Sequence, residues 1–331
     1  MLEQTTLTEL KAKKNLLAFS AGGDSTALLF LLLKNNIKFD IAIVDYGVRA
    51  QSKEEVLYAQ ELADKYSLTC SLHVAPKITQ NFESSARKIR YDFFEELIST
   101  YSYNNLLTAH HLGDRFEWML MQFCKGAGCV ELAGMQMVEQ RTNYKLIRPL
   151  LHVDKSELLD YLHVEDIKYF EDETNLDENI KRNSFRHKFS QPLLKDNLAG
   201  IKKSFKYLDE DKNSLIQDTQ ALHVEQFCYF KNLDIRTNIY VIDKYLKSIS
   251  YMLSASEREL LKTKSTLVVG RKYVINQNDS FVFITPFIDE ITMDKDFKEE
   301  MRVLHVEPKL RQYFYKYPAS FKKLKELLSS V

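Results

Sequence analysis

Short apolar runs alternate with longer amphipathic stretches through the first 150 residues. Asn15–Phe19 predicts a buried strand and Thr26–Lys34 the helix after it. Asp40–Asp45 predicts a second strand. Ser52–Tyr66 predicts a helix, opened by a Ser cap with Glu54 and Glu55 in its first turn. Leu68–Val74 is the third strand, Ser84–Thr100 a long amphipathic helix, Asn105–His110 the fourth strand, and Asp114–Cys124 a further helix. Strands that are apolar throughout, rather than at alternate positions, imply a sheet buried on both faces. With helices between them they imply an α/β fold with a doubly wound parallel sheet.

The pattern changes toward the C-terminus. Residues 151–200 are acidic and helical, with loops around Glu171–Asn179. Ile201–Leu246 is polar with scattered helical signal. Thr266–Ile275 and Ser280–Thr285 predict strands joined by a turn at Asn276–Asp279. We expect a nucleotide-binding domain over 1–205 and a smaller α+β accessory domain over 206–331.

Composition adds little about fold and something about class. Net charge is zero over the 331 residues, so global charge does not select a partner. Residues 1–200 carry 24 Lys and Arg against 28 Asp and Glu; the remainder carries 22 against 18. The four cysteines form no C-x-x-C pair, which argues against a disulfide framework or a zinc knuckle and fits a reducing compartment. No run is long enough for a membrane span and no leader pattern opens the chain, so a cytoplasmic protein without a membrane partner is expected. Leu-His-Val recurs five times at irregular spacing, and its histidines are given no chemical role.

The chemistry concentrates after the first strand, at Ser20-Ala21-Gly22-Gly23-Asp24-Ser25. Glycines let backbone approach a ligand closely. The following helix directs its unpaired N–H groups and positive dipole end to the same place. Hydroxyls from Ser20 and Ser25 add donors, so a phosphate chain is the natural occupant. Asp24 would repel phosphate unless a cation intervened, which points to Mg²⁺. The loop has neither the Lys of a Walker A motif nor the spacing of a dinucleotide motif. The plain alternative is a glycine turn with Asp24 as helix cap.

This loop resembles the S-G-G-x-D-S signature of the PP-loop ATP pyrophosphatase superfamily. Further segments follow in order. Val44-Asp45-Tyr46-Gly47-Val48-Arg49 is similar to V-D-H-G-L-R, and Ser85-Ala86-Arg87-Lys88-Ile89-Arg90-Tyr91 to E-A-R-x-x-R-Y. His110-His111 opens an H-H-x-D-D-Q-x-E-T element. Leu132–Met135, then Arg148-Pro149-Leu150-Leu151 with Lys155, follow L-x-G-M and R-P-L-L-x-x-x-K. Asp172–Asn175 and Arg182–Arg186 resemble D-x-S-N and R-N-x-x-R. The ordered set, over roughly residues 14–190, resembles the tRNA(Ile)-lysidine synthase family. The chain departs from it in the H-H element, where Gly113, Arg115 and Trp118 replace Asp, Gln and Thr.

The resemblance implies ATP-dependent adenylation of a tRNA(Ile) wobble cytidine in a CAU anticodon, followed by attack of free L-lysine. It implies ATP and Mg²⁺ as cofactors. Asp24 and Asp114 are the expected metal ligands and, with Arg87, the catalytic candidates. Ser20, Ala21, Gly22, Gly23, Asp24 and Ser25 would cradle phosphate, with Val44 and Tyr46 beside the adenine. Glu117 would receive the lysine amine. Lys88, Arg148, Arg182 and Arg186 would contact tRNA or phosphate; pairing of the three arginines with the acids near Glu171 is the alternative. Basic and aromatic residues interleave over Lys309–Lys325, which suits either RNA stacking or a packed helix. A homodimer is left open.

Overall fold

The computed structural model describes residues 1–48, 51–141, 143–171 and 181–329. These fall into two compact units, Met1–Asp209 and Glu210–Val331.

Unit 1 is built on a six-stranded sheet. Its strands are β1 (Asn15–Phe19), β2 (Phe39–Asp45), β3 (Cys70–Val74), β4 (Asn105–Leu107), β5 (Val138–Gln140) and β6 (Lys145–Ile147). The spatial order is β3-β2-β1-β4-β6-β5. All neighbours pair in parallel except β5 and β6, which form an antiparallel edge. The chain therefore winds outward from β1 to β3 and then returns to the other side of β1. That reversal opens a crevice beyond the C-terminal ends of β1 and β4, where doubly wound sheets bind ligands.

Helices cover both faces. Leu17 and Phe19 of β1 pack with α2 (Gly23–Lys34), α3 (Ser52–Tyr66) and α7 (Lys155–Val164). Leu16 of β1 packs on the opposite face with Phe93, Phe94, Leu97 and Ile98 of α4 (Phe82–Tyr101). Both sides of β1 are thus buried, which explains why its sequence shows no alternation. α2 begins at Gly23, three residues before the expected Thr26, so Asp24 and Ser25 lie in the helix's first turn.

α5 (Leu112–Phe123) carries the departure at Arg115, and the structure explains it. Arg115 is fully buried. Its Nη1 and Nη2 donate to the two carboxylate oxygens of Asp209 at 3.0 and 2.5 Å, and its Nε and Nη2 donate to the carbonyl of Ala133. The guanidinium also stacks over Phe205 at 4.4 Å. Phe205 and Asp209 belong to α9 (Gln191–Leu215). Arg115 is therefore a structural clamp between α5 and α9 within unit 1. Burial would raise the Asp209 carboxyl, but hydrogen bonds from His152 and Arg115 hold it below its ordinary value.

Unit 2 holds a five-stranded antiparallel sheet in the order β7-β8-β11-β10-β9. These strands are β7 (Leu222–Val224), β8 (Phe227–Lys231), β9 (Thr266–Val269), β10 (Tyr273–Gln277) and β11 (Phe281–Pro286). The expected strand Thr266–Ile275 is two strands, because Gly270 and Arg271 both take positive φ and reverse the chain. Alternate residues of β8 serve two cores. Cys228 and Phe230 pack with α10 (Ile235–Ser248) and α11 (Ala255–Leu261). Phe227 and Tyr229 pack with α12 (Lys295–Val303), α13 (Pro308–Lys316) and α14 (Pro318–Leu328). Tyr313 and Phe314 in the basic tail are buried in that second core, which removes them as stacking platforms for RNA bases.

Replacing Arg115 by Gln, the residue of the family pattern, leaves Asp209 without its bidentate partner. We expect a loss of about 3 kcal/mol, as for a broken buried ion pair. Because Asp209's folded pKa is lowered, its share of that loss is complete above about pH 4 and fades as pH falls through the folded value. Denaturant unfolding of parent and variant across pH checks both statements. Equal stability at neutral pH would contradict the clamp.

Candidate active site

The loop after β1 is braced from within. Ser25 Oγ donates to the carbonyl of Gly22 at 3.1 Å, accepts the Ser20 N–H at 3.3 Å and lies 3.1 Å from Ser20 Oγ. Phe170 N–H donates to the Ala21 carbonyl at 2.9 Å, and Gly22 bridges Phe170. Ala21 sits at φ 57°, a left-handed conformation that costs a side-chain-bearing residue about 1–2 kcal/mol. That strain is retained at a buried position within the loop itself. A Cβ on Gly22 or Gly23 would meet protein atoms no closer than 3.4 Å, so packing does not demand glycine there. α2 has no side-chain cap, which leaves first-turn N–H groups for an anion.

Opposite the loop, β4 delivers His110 and His111 to the same crevice. His111 is buried and caps α5. Its Nδ1 accepts the Gly113 N–H at 3.0 Å, and its own N–H donates to Asp114 Oδ2 at 3.0 Å. Its Nε2 lies 3.8 Å from Asp24 Oδ2 and 3.6 Å from Asp114 Oδ2. Two carboxylates 90 residues apart in sequence thus converge on one imidazole. Lys155, the first residue of α7, places Nζ 3.8 Å from Asp24 Oδ2.

The remaining oxygen of Asp24, Oδ1, is buried without a hydrogen-bond partner. A buried carboxylate oxygen without a partner, in the first turn of α2 beside the loop, is an unmet demand that a cation would satisfy. Among the described residues no group of three or more His, Cys, Asp or Glu could hold a metal. The donor set therefore suits a hard ion that takes one or two carboxylates and completes its shell with phosphate and water. Burial would raise the Asp114 carboxyl, but the His111 ring, Arg182, His110 and the His111 N–H together hold it far below the usual range.

The PP-loop domain family matches residues 2–193. Over 314 residues the chain is 43% identical to the tRNA(Ile)-lysidine synthase of Helicobacter pylori (strain ATCC 700392 / 26695), covering 94% of this chain and 92% of the relative. The Wolinella succinogenes protein of that name is 43% identical over 92% of this chain and 94% of its own length. The chain belongs to the tRNA(Ile)-lysidine synthase family. Among solved structures, the U34-tRNA thiolase NcsA from Methanococcus maripaludis shares the fold with a TM-score of 0.53 at 17% identity, over 66% of this chain and 78% of the thiolase.

Membership in the tRNA(Ile)-lysidine synthase family gives the remaining positions their context. Glu117 is buried, and both its oxygens are taken: Arg186 Nε donates to Oε1 at 2.6 Å and Arg182 Nε to Oε2 at 3.0 Å. Arg182 Nη2 also reaches Asp114 Oδ1 at 2.5 Å. These arginines pair with Asp114 and Glu117, so an incoming ammonium would have to share the two carboxylates. Arg148 is buried in a structural setting, donating to the Gln136 carbonyl at 2.7 Å and to Glu139 at 3.1 Å.

The α4 candidates divide. Arg87 is exposed and lies over the Tyr91 ring at 4.8 Å. Its charge is nevertheless felt at His110, whose pKa is pushed down to about 4 by burial, against the pull of Asp114 and with help from Arg148, Arg182 and Arg87. His110 is consequently neutral at neutral pH. Lys88 is solvated and pairs with Asp92 one turn on. Tyr46 donates from its hydroxyl to the Ala86 carbonyl at 3.1 Å, and Val44 packs against the core beneath α4. Arg49 and the segment Asp172–Asn175 lie outside the described residues.

His111 and Lys155 were not among the candidate site residues. Both stood inside quoted patterns, but nothing local in the sequence shows that they converge on Asp24. The ionic neighbours of the Asp24 side chain, His111 and Lys155, stand off at 3.8 Å, beyond hydrogen-bond distance, so replacing it should leave the fold intact. We expect Asp24→Asn to lower ATP-dependent turnover by about 10²–10³-fold with an unchanged thermal midpoint. Retention of parent activity would remove Asp24 from the chemistry.

Proposed function

We propose that this chain forms lysidine in two steps within the crevice between β1 and β4. The C2 oxygen of the wobble cytidine of tRNA(Ile) with a CAU anticodon attacks the α-phosphorus of ATP, and pyrophosphate leaves. The ε-amine of free L-lysine then attacks C2, the C2–O bond breaks, AMP departs with that oxygen, and the amine gives up a proton. The observation that carries this reading is the convergence of Asp24, on a phosphate-type loop, and Asp114, beside an acidic and basic patch, on one buried imidazole.

Each part of the site has a task in this scheme. The Ser20–Ser25 loop binds and orients the triphosphate. Asp24 and Asp114 would hold a Mg²⁺ ion, which supplies charge neutralisation at the phosphates when bound. Asp114, Glu117, Arg182 and Arg186 alternate in charge and suit a zwitterionic amino acid, carboxylates toward its ammonium groups and guanidiniums toward its carboxylate. Neutral His110 accepts or donates a hydrogen bond without adding charge. RNA contact is supported in unit 2 by a cleft of about 390 Å³ lined by Lys295, Lys298 and Arg311, with Arg302 there paired to Glu299.

A purely RNA-binding reading would rest on the altered Gly113-Asp114-Arg115 stretch. It is disfavoured because Asp114 keeps its place in the crevice while Arg115 has a structural partner elsewhere. The assay combines the protein, ATP with Mg²⁺, labelled lysine and tRNA(Ile) bearing CAU. We expect label in the RNA with stoichiometric AMP. Intact RNA binding with no label and no AMP would favour the non-enzymatic reading.

A further inference from the structure

Two of the departures from the family pattern, Arg115 and Trp118, meet at one turn. Arg115 donates from Nε and Nη2 to the carbonyl of Ala133, the last residue of α6 (Cys129–Ala133). Trp118, which stands where the pattern has Thr, lies against the next residue, Gly134. A Cβ on Gly134 would sit 2.9 Å from the indole Cδ1, and its φ of 63° is a conformation that favours glycine. Gly134 is therefore the floor under the indole, and Arg115, itself clamped to Asp209, holds that floor in place. The tryptophan is nevertheless 46% exposed. Among the described residues no hydrogen bond, ring contact or cation engages it. Trp118 stands one turn after Asp114 on the same face of α5, about 6 Å further along the axis. The stripe continues through Met121 to Lys125, which is exposed in the turn that ends the helix and makes no ion pair among the described residues. A flat, supported ring thus lies between a carboxylate of the crevice and an exposed cation.

We propose that Trp118 is an RNA-binding residue whose indole stacks on a base next to the wobble cytidine, while the cytidine itself enters the crevice toward Asp114 and Lys125 neutralises a neighbouring phosphate. Aromatic side chains are the usual platforms for unpaired bases, and a cation on the same helix face complements the backbone that carries them. Every base has a π-face, so this contact supplies affinity and register for the loop and does not read its sequence. A Thr at 118 has no ring with which to do so. The choice of base rests on the lysidine-forming reading; the stacking contact is measured without turnover.

Trp118 is the chain's single tryptophan, so indole fluorescence reports on it alone. An RNA stem-loop carrying the CAU anticodon should quench that fluorescence in a saturable titration of the full chain. The same stem-loop with abasic nucleotides on both sides of the wobble position should bind about 10–100-fold more weakly and leave the indole unquenched. Trp118→Leu keeps an apolar contact with Gly134 but has no ring. It should raise KM for tRNA about 10–100-fold, with kcat and KM for ATP near those of the parent. With labelled RNA it should bind the intact and abasic stem-loops alike, because the ring that distinguishes them is gone. Trp118→Phe should recover most of the affinity. Equal affinity of parent and Trp118→Leu for the intact stem-loop overturns the proposal, as does a loss confined to kcat. Fluorescence that changes with protein concentration and not with RNA also overturns it, and would assign the indole to a contact between copies of the chain. Quenching with the expected binding cycle in a protein that makes no lysidine would sink the functional reading and leave the stacking contact standing.

Discussion

β1 is paired on one side with β2 and on the other with β4, and the chain changes winding direction between them. Everything at the site depends on this reversal. Helices that follow β1 and β2 lie on one face and α4 lies on the other, so no connection crosses the gap above the β1 and β4 ends. Two loops enter that gap from neighbouring strands. One brings a strained, self-braced turn and a helix start; the other brings two histidines and a second helix start. Two positive dipole ends and two carboxylates then share a small volume, an arrangement suited to binding an anion with a cation.

Charge inside the crevice is closely balanced. Asp114 and Glu117 face Arg182 and Arg186 across hydrogen-bonding distances, while Asp24 retains one oxygen with no partner. The paired groups lower the cost of burying ions. The unpaired oxygen concentrates unmet electrostatic demand on the side of the phosphate loop. Neutral His110 and the capping ring of His111 add hydrogen-bonding capacity without disturbing that balance. The site therefore has a half whose charges are paired and a half that keeps an unsatisfied carboxylate oxygen; on the proposed reading the first receives the amino acid and the second the metal-bound triphosphate.

The sequence made the first half of this legible because strand, loop and helix are local there. Asn15–Phe19 as strand and Ser20–Ser25 as phosphate loop need no long-range information, and the alternation through Cys124 implies the parallel sheet. What it could not show is which distant residues meet. Arg115 looks like damage to a catalytic motif until Asp209, 94 residues on, is seen to hold it. Glu117 looks like a free acid until two arginines from α8 (Lys181–Phe185) and the turn after it close on it. In the C-terminal unit, β7 and β8 were missed because β8 is apolar on both faces and too short to carry a period. The aromatic tail left RNA stacking open beside a packed helix because the burial of Tyr313 and Phe314 against β8 was invisible.

The central claim is that the group activated in this crevice is the C2 oxygen of a tRNA cytidine. Placing a heavy oxygen isotope at that position and analysing the products by mass spectrometry tests it directly. If the oxygen attacks the α-phosphorus and later leaves with it, the isotope appears in AMP, one atom per lysidine formed. Isotope retained in the RNA, or AMP released without it, would contradict the account.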